Sequence, residues 1–109
     1  MKAIQIYTDL RNSSKLHEAA ERVNISEERI LGHLVMLWLW AIDHAPNGRL
    51  PYDKLGSRQA CDTDQHIAVA AGWMEDPARF VSAIAKAGFL KVQGDAIQID
   101  TDFVRFYRE

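Results

Sequence analysis

The feature that most constrains this sequence is a well-marked helix followed at once by two short alternating segments. Asp76 is a good N-cap residue, and Pro77 after it suits the first helical position. The two residues together mark the start of a helix. Gly88 can take the left-handed conformation that ends many helices. The sequence therefore predicts a helix from Pro77 to Ala87, with an apolar face of Phe80, Val81, Ile84 and Ala87.

The residues after Gly88 alternate between apolar and polar, as in strands with one buried face. A two-residue turn at Gly94-Asp95 would bring four apolar side chains onto one face of a hairpin. The predicted pairs are Val92 with Ile97 and Leu90 with Ile99. Because a hairpin alone is marginally stable, we expect the alternating segment Ala3–Tyr7 to form a third strand beside it.

A shorter helix is predicted before this unit. It starts at Asp62 or Thr63 and closes at Gly72, while the segment from Pro51 to Cys61 has only a weak pattern. The Asp62-Thr63-Asp64 stretch is interpreted as capping this helix. Two short helices followed by a hairpin is the order of elements in a winged helix-turn-helix, whose hairpin is called the wing.

Two more helices are predicted in the first half of the chain. One follows the capping residues 12–14 and ends near Asn24, with an apolar face of Leu16, Ala19, Ala20 and Val23. The next begins at the N-cap Ser26 and stops at His44 or Ala45, because Pro46 disfavours helix before it. It is apolar nearly all round from Leu31 to Ile42, so it should be buried on several sides. The tail, with Phe103, Phe106 and Tyr107, is expected to add a turn or two of helix.

The expected fold class is mainly α with a small antiparallel sheet, built as a winged helix of about four helices. A length of 109 residues fits a single domain over 1–109, either alone or as the N-terminal part of a longer protein. Cys61 is the only cysteine, and no signal peptide or membrane-length apolar run is visible, so we expect a cytoplasmic protein that does not enter a membrane.

Several stretches of the sequence also resemble a known family. They are Tyr7-Thr8-Asp9-Leu10, residues 32–41, Ala70-Ala71-Gly72-Trp73, and the segments Asp76-Pro77 and Ala87-Gly88-Phe89-Leu90. These resemble the N-terminal domains of phage replisome-organiser proteins, which are similar to the DnaD-type replication-initiation proteins of bacteria. The resemblance implies a winged helix used in replication initiation, where such domains bind origin DNA, self-associate, or both.

In a DNA-reading winged helix the second helix of the unit lies in the major groove. The helix Pro77–Ala87 would then present Arg79, Ser82, Ala83 and Lys86, with Arg79 on guanine or phosphate and Lys86 on phosphate. The wing would bring Lys91, Gln93 and Gln98 to the backbone or minor groove, and Arg58 and Gln59 are further polar candidates. The competing interpretation is that these residues form a solvated face, because tight DNA binders usually contact about six to ten phosphates.

Charge weakens the DNA hypothesis. The formal net charge is −2, and residues 51–76 hold five acidic and two basic side chains. Residues 77–100 hold three basic and two acidic side chains, so the predicted DNA-contacting helix and hairpin are only mildly positive. The alternative is a protein-interaction or self-assembly module that uses the same fold.

The remaining residues bear on whether the chain has a partner surface, a cofactor site or a catalytic site. Whichever of Met36, Leu39 and Trp40 faces outward from the apolar helix would leave an apolar patch, which predicts a homo-oligomer or another replication protein as partner. Core packing is the expected role of the three tryptophans. The histidines, cysteine and carboxylates show no metal-site or catalytic motif, so neither a cofactor nor enzyme activity is expected.

Overall fold

The computed structural model describes residues 2–45, 47–51, 60–93 and 96–108. Within these residues lie four α-helices, five strands and one short 3₁₀ helix, Thr8–Asn12. The helices are α1 (Ser14–Val23), α2 (Glu27–His44), α3 (Ala60–Ala70) and α4 (Pro77–Ala87). The strands are β1 (Lys2–Ile6), β2 (Arg49–Pro51), β3 (Leu90–Gln93), β4 (Ala96–Ile99) and β5 (Val104–Arg108). The mainly helical composition with small antiparallel sheets is as predicted.

Capping residues set the bounds of the first two helices. The Ser13 side chain accepts a hydrogen bond from the backbone N–H of Lys15 at 3.1 Å, and Asn24 ends α1 in the left-handed region with φ 57°. The Ser26 side chain accepts from the Arg29 N–H at 3.2 Å, and α2 ends at His44. The predicted bounds of both helices are confirmed.

Helix α3 starts earlier than predicted. It begins at Ala60, so Asp62 and Thr63 lie inside the helix, and the prediction that they cap its start is wrong. Its end is as predicted, because Gly72 has φ 74° and the Trp73 N–H bonds the Ala68 carbonyl at 2.8 Å.

The hairpin has the predicted register but a different third strand. Leu90 pairs with Ile99 and Val92 with Ile97, while the predicted turn at Gly94-Asp95 lies outside the described residues. The strand order is β2-β4-β3, so the partner of the hairpin is β2 and not the N-terminal segment. The expected N-terminal third strand is therefore wrong.

The N-terminal strand instead pairs with the tail. Strand β1 lies antiparallel to β5, with Ile4 opposite Phe106 and Ile6 opposite Val104. The prediction of a helical tail is wrong, since alternation in Val104–Arg108 buries Val104 while Arg105 and Tyr107 remain exposed.

The buried residues form one apolar cluster with Trp38, Phe80 and Phe89 among its largest fully buried side chains. Helix α4 packs against α1 and α3, and α2 packs against α1, α3 and the β1–β5 sheet. An ion pair between Lys15 Nζ and Asp100 Oδ2, at 3.0 Å, ties the start of α1 to the end of β4. In the part of the chain described, no helix has the length and apolar character needed to cross a membrane.

Candidate nucleic-acid interface

One face of α4 presents polar side chains to solvent. Arg79, Ser82 and Lys86 are all exposed, and their spacing of three and four residues places them on one side of the helix. The opposite side is apolar and buried, through Phe80, Ile84 and Ala87. The structure therefore brings together the three predicted α4 residues in one continuous stripe.

Ala83 does not belong to that stripe. It is only 3 % exposed, so its predicted place on the solvent face is wrong. Helix α4 packs against α1 as well as against α3, which widens its buried side beyond that of a helix with a single neighbour. A methyl side chain at position 83 suits this close helix contact.

The start of α4 is fixed by short-range hydrogen bonds. The Asp76 carboxylate accepts from the Ala78 N–H at 3.1 Å, and the indole N–H of Trp73 donates to the Asp76 carbonyl at 3.1 Å. Pro77 occupies the first turn, and Gly88 ends the helix with φ 101°. These contacts hold Arg79, which lies in the first turn, at a defined place relative to the preceding turn.

His33 on α2 contacts the turn between α3 and α4, and the sequence pattern did not single it out. Its Nδ1 lies 2.8 Å from the Ala71 carbonyl oxygen, and because a carbonyl can only accept, Nδ1 donates. The imidazole also packs edge-on against Trp73 and Phe80, at ring-centre distances of 5.2 and 5.9 Å. His33 therefore joins α2 to both helices of the unit and caps a carbonyl at the end of α3.

The predicted wing residues differ in their surroundings. Lys91 on β3 is exposed, whereas the Gln98 amide on β4 is half-buried and donates to the carbonyls of Asn47 at 3.4 Å and Ile99 at 3.3 Å. Gln98 is thus engaged with its own chain. The surroundings of the Gln93 side chain, and the residues Arg58 and Gln59, lie outside the described part of the structure.

The charge around Arg79 is mixed. Arg79 lines a depression of about 410 Å³ together with Arg29, Glu75 and Asp76, and its floor includes Trp73. The two carboxylates offset the two guanidinium groups, so the N-terminal end of α4 is close to neutral. Further along α4 and on β3, Lys86 and Lys91 are exposed and add positive charge.

The carboxyl group of Asp64, on α3, has a perturbed pKa. Burial raises the pKa of Asp64 on α3 above its ordinary value of 3.8, and the negative charge of Asp76 raises that pKa further. The fold therefore disfavours ionisation of Asp64, and once ionised this carboxylate adds to the negative field at the start of α4.

The expected interface residues lie on α2, away from the polar stripe of α4. Met36 and Leu39 are 51 % and 46 % exposed, although both are large and apolar. Trp40 is half-buried and stacks on His44, with ring centres 4.5 Å apart and planes inclined by 8°. The outward-facing residues of the apolar helix are therefore Met36 and Leu39, with Trp40 at their margin.

The other tryptophans pack in the core, where Trp38 is 1 % and Trp73 is 5 % exposed. Among the described residues, no group of three or more His, Cys, Asp or Glu side chains is arranged to hold a metal ion. Comparison with protein-family models, curated proteins and solved structures finds no match to this chain.

Proposed function

We propose that this chain is a winged-helix domain of the replisome-organiser type that binds duplex DNA. In this proposal α4 enters the major groove and the β3–β4 hairpin is the wing. The contact set is Arg79, Ser82, Lys86 and Lys91, and Gln98 is left out because its amide is engaged within the chain.

The observation that carries the proposal is the exposed stripe of Arg79, Ser82 and Lys86 on a helix that directly precedes a hairpin. A groove-reading helix needs a polar outer face, a rigid start and an adjacent strand pair that can reach the DNA backbone. Each is supported by a feature described above: the stripe, the Asp76 cap and the exposed Lys91. The strand order β2-β4-β3 supports the winged-helix assignment, because β2 lies between α2 and α3 and pairs with the second strand of the hairpin.

The charge of the surface sets the expected strength of binding. Three cationic groups that displace condensed counterions give a slope of log affinity against log salt of about −2.7. Non-specific binding with a Kd of about 1–100 µM at physiological salt, and tighter binding at low salt, is the corresponding expectation.

A fluorescence-anisotropy titration on duplex DNA at several salt concentrations tests this function. The double substitution Arg79→Ala, Lys86→Ala should reduce the salt slope by about two and weaken binding across all sequences. The matched control, Arg11→Ala, Arg105→Ala, removes the same charge from exposed positions outside α4 and the hairpin and should leave the slope unchanged. Absence of binding at low salt, or an equal loss in both variants, would overturn the proposal.

A second candidate function is self-assembly, and a separate observation favours it. Met36 and Leu39 together leave an apolar patch on α2 that nothing else in the described chain covers. Exposed apolar patches of this kind mark protein partners. The two functions use different helices, so one chain can carry both.

A further inference from the structure

The depression beside Arg79 is lined from two separate parts of the chain. The junction of α1 and α2 contributes Val23, Asn24, Ile25 and Arg29, and the junction of α3 and α4 contributes Trp73, Glu75, Asp76 and Arg79. Arg79 belongs both to this depression and to the exposed polar stripe of α4. Arg29, on α2, therefore lies next to the surface that is proposed to meet DNA.

Arg29 and Arg79 hold equivalent positions in their helices. Ser26 is the N-cap of α2 and Asp76 is the N-cap of α4, so each arginine is the third helical residue after its cap. The Ser26 side chain accepts the backbone N–H of Arg29 itself, at 3.2 Å. The backbone that carries Arg29 is therefore fixed by a cap, as is the first turn that carries Arg79.

Neither arginine stands where its charge favours the fold. The start of a helix carries a partial positive charge, so a cation in the first turn is unfavourable there. Both side chains are exposed, and within the described part of the chain neither guanidinium has an ion pair or a hydrogen bond. Departures from local preference that no internal contact compensates are typical of functional positions. The two cations therefore indicate an anionic ligand.

The carboxylates in the same lining decide what kind of anion this is. Asp76 is engaged with the Ala78 N–H at 3.1 Å, whereas Glu75 is exposed and unpaired within the described residues. Because the depression is close to neutral overall, it is poorly suited to an isolated phosphate ion. An arginine at its edge can still contact a phosphate of a polyanion that Arg79 and its neighbours on α4 already hold in place.

We propose that Arg29 is a further DNA-contacting residue, which binds a backbone phosphate of the duplex beside α4. The proposal rests on the proposed DNA-binding function and extends its contact set to α2. In helix-turn-helix proteins, side chains beside the groove-reading helix meet backbone phosphates, which position the protein without reading sequence. With Arg29 added to Arg79, Lys86 and Lys91, the expected slope of log affinity against log salt changes from about −2.7 to about −3.6.

The anisotropy titration on duplex DNA measures this contribution in the single variant Arg29→Ala. The slope should become less steep by about 0.9, and the lost counterion release should weaken Kd about fifteenfold at roughly 50 mM salt and about fourfold at roughly 200 mM. Arg29→Lys keeps the cation and should keep the slope. The matched control Arg11→Ala removes one exposed cation from the 3₁₀ helix and should change neither quantity.

Thermal unfolding separates a DNA contact from a structural role. Because Arg29 opposes the dipole of its own helix and has no described side-chain partner, Arg29→Ala should have a Tm no lower than that of the wild-type chain. A clear fall in Tm together with weaker binding would assign the residue to the fold instead.

The side-chain NMR signals of the arginines locate the contact. Addition of the duplex should shift the Nε–Hε signals of Arg29 and Arg79 and leave that of Arg11 in place. Inorganic phosphate, at the same concentration of phosphate groups, should shift none of them, because the nearly neutral depression does not hold a lone anion. Equal shifts with inorganic phosphate would indicate a site for a free anion and overturn the assignment to DNA.

The outcomes separate the role of Arg29 from the function on which it rests. If Arg29→Ala binds DNA like Arg11→Ala while Arg79→Ala, Lys86→Ala reduces the slope by about two, the role of Arg29 is refuted and DNA binding stands. If the wild-type chain does not bind the duplex at low salt, both are refuted.

Discussion

Replacing His33 on α2 by alanine should destabilise the fold, because this side chain holds the turn between α3 and α4. The substitution removes the hydrogen bond to the Ala71 carbonyl and two edge-on ring contacts, with Trp73 and Phe80. A buried carbonyl left without its donor costs about 1–3 kcal/mol, and each ring contact contributes about 0.5–1.5 kcal/mol. We expect a loss of about 3 kcal/mol, a large part of the usual stability of a small domain, which is about 5–15 kcal/mol.

Urea unfolding followed by tryptophan fluorescence measures this loss of unfolding free energy. A second variant separates the part due to the hydrogen bond from the part due to the ring contacts. His33→Phe keeps a ring beside Trp73 and Phe80 but has no donor for the carbonyl, so it should lose about half as much. Gln65→Ala, an exposed change on α3, should alter the unfolding free energy by less than about 0.5 kcal/mol. A His33→Ala loss no larger than that of Gln65→Ala would refute the role of His33 in holding the turn.

Three further results follow from the charged groups. Because burial raises the pKa of Asp64, its ionisation destabilises the folded chain as pH rises above 3.8, so Asp64→Asn should raise Tm at neutral pH and lose that advantage in acid. The hydrogen bond from His17 to Glu27 raises the pKa of the imidazole above 6.5. Protonated His17 therefore stabilises the folded chain fully below pH 6.5, and this stabilisation is lost as the pH rises through the pKa of His17 in the folded chain. An NMR titration should show this raised pKa and its return towards 6.5 in Glu27→Gln. The substitution Asp100→Asn breaks the half-buried ion pair with Lys15 and should lower the free energy of unfolding in urea by about 1–2 kcal/mol. The double variant Lys15→Met, Asp100→Asn should be no less stable than Lys15→Met alone, because the pair is already broken in the single variant.

Local chemistry explains which parts of the fold could be predicted. Capping side chains such as Ser13, Ser26 and Asp76 satisfy backbone groups within a few residues of themselves, so the starts of three helices are encoded nearby. The hairpin register follows from alternation on both sides of one short turn.

Long-range pairing explains what could not be predicted. The partner of β1 is β5, at the other end of the chain, and β2 has only three residues. The aromatic spacing in the tail also resembles a helix face, but the chain there alternates as a strand.

The candidate site divides in the same way. The exposure of Arg79, Ser82 and Lys86 follows from the spacing of the apolar residues on α4, so it could be predicted. The burial of Ala83 depends on where α1 packs, and the role of His33 depends on a carbonyl 38 residues further along the chain. No motif in the sequence carries either piece of information.

The most direct test of DNA binding through α4 is an NMR titration of the labelled chain with a short DNA duplex at low salt. The proposal predicts that the amide shifts concentrate at Arg79, Ser82 and Lys86 on α4 and at Lys91 on β3. Shifts confined to the exposed face of α2, or no shifts at all, would contradict it.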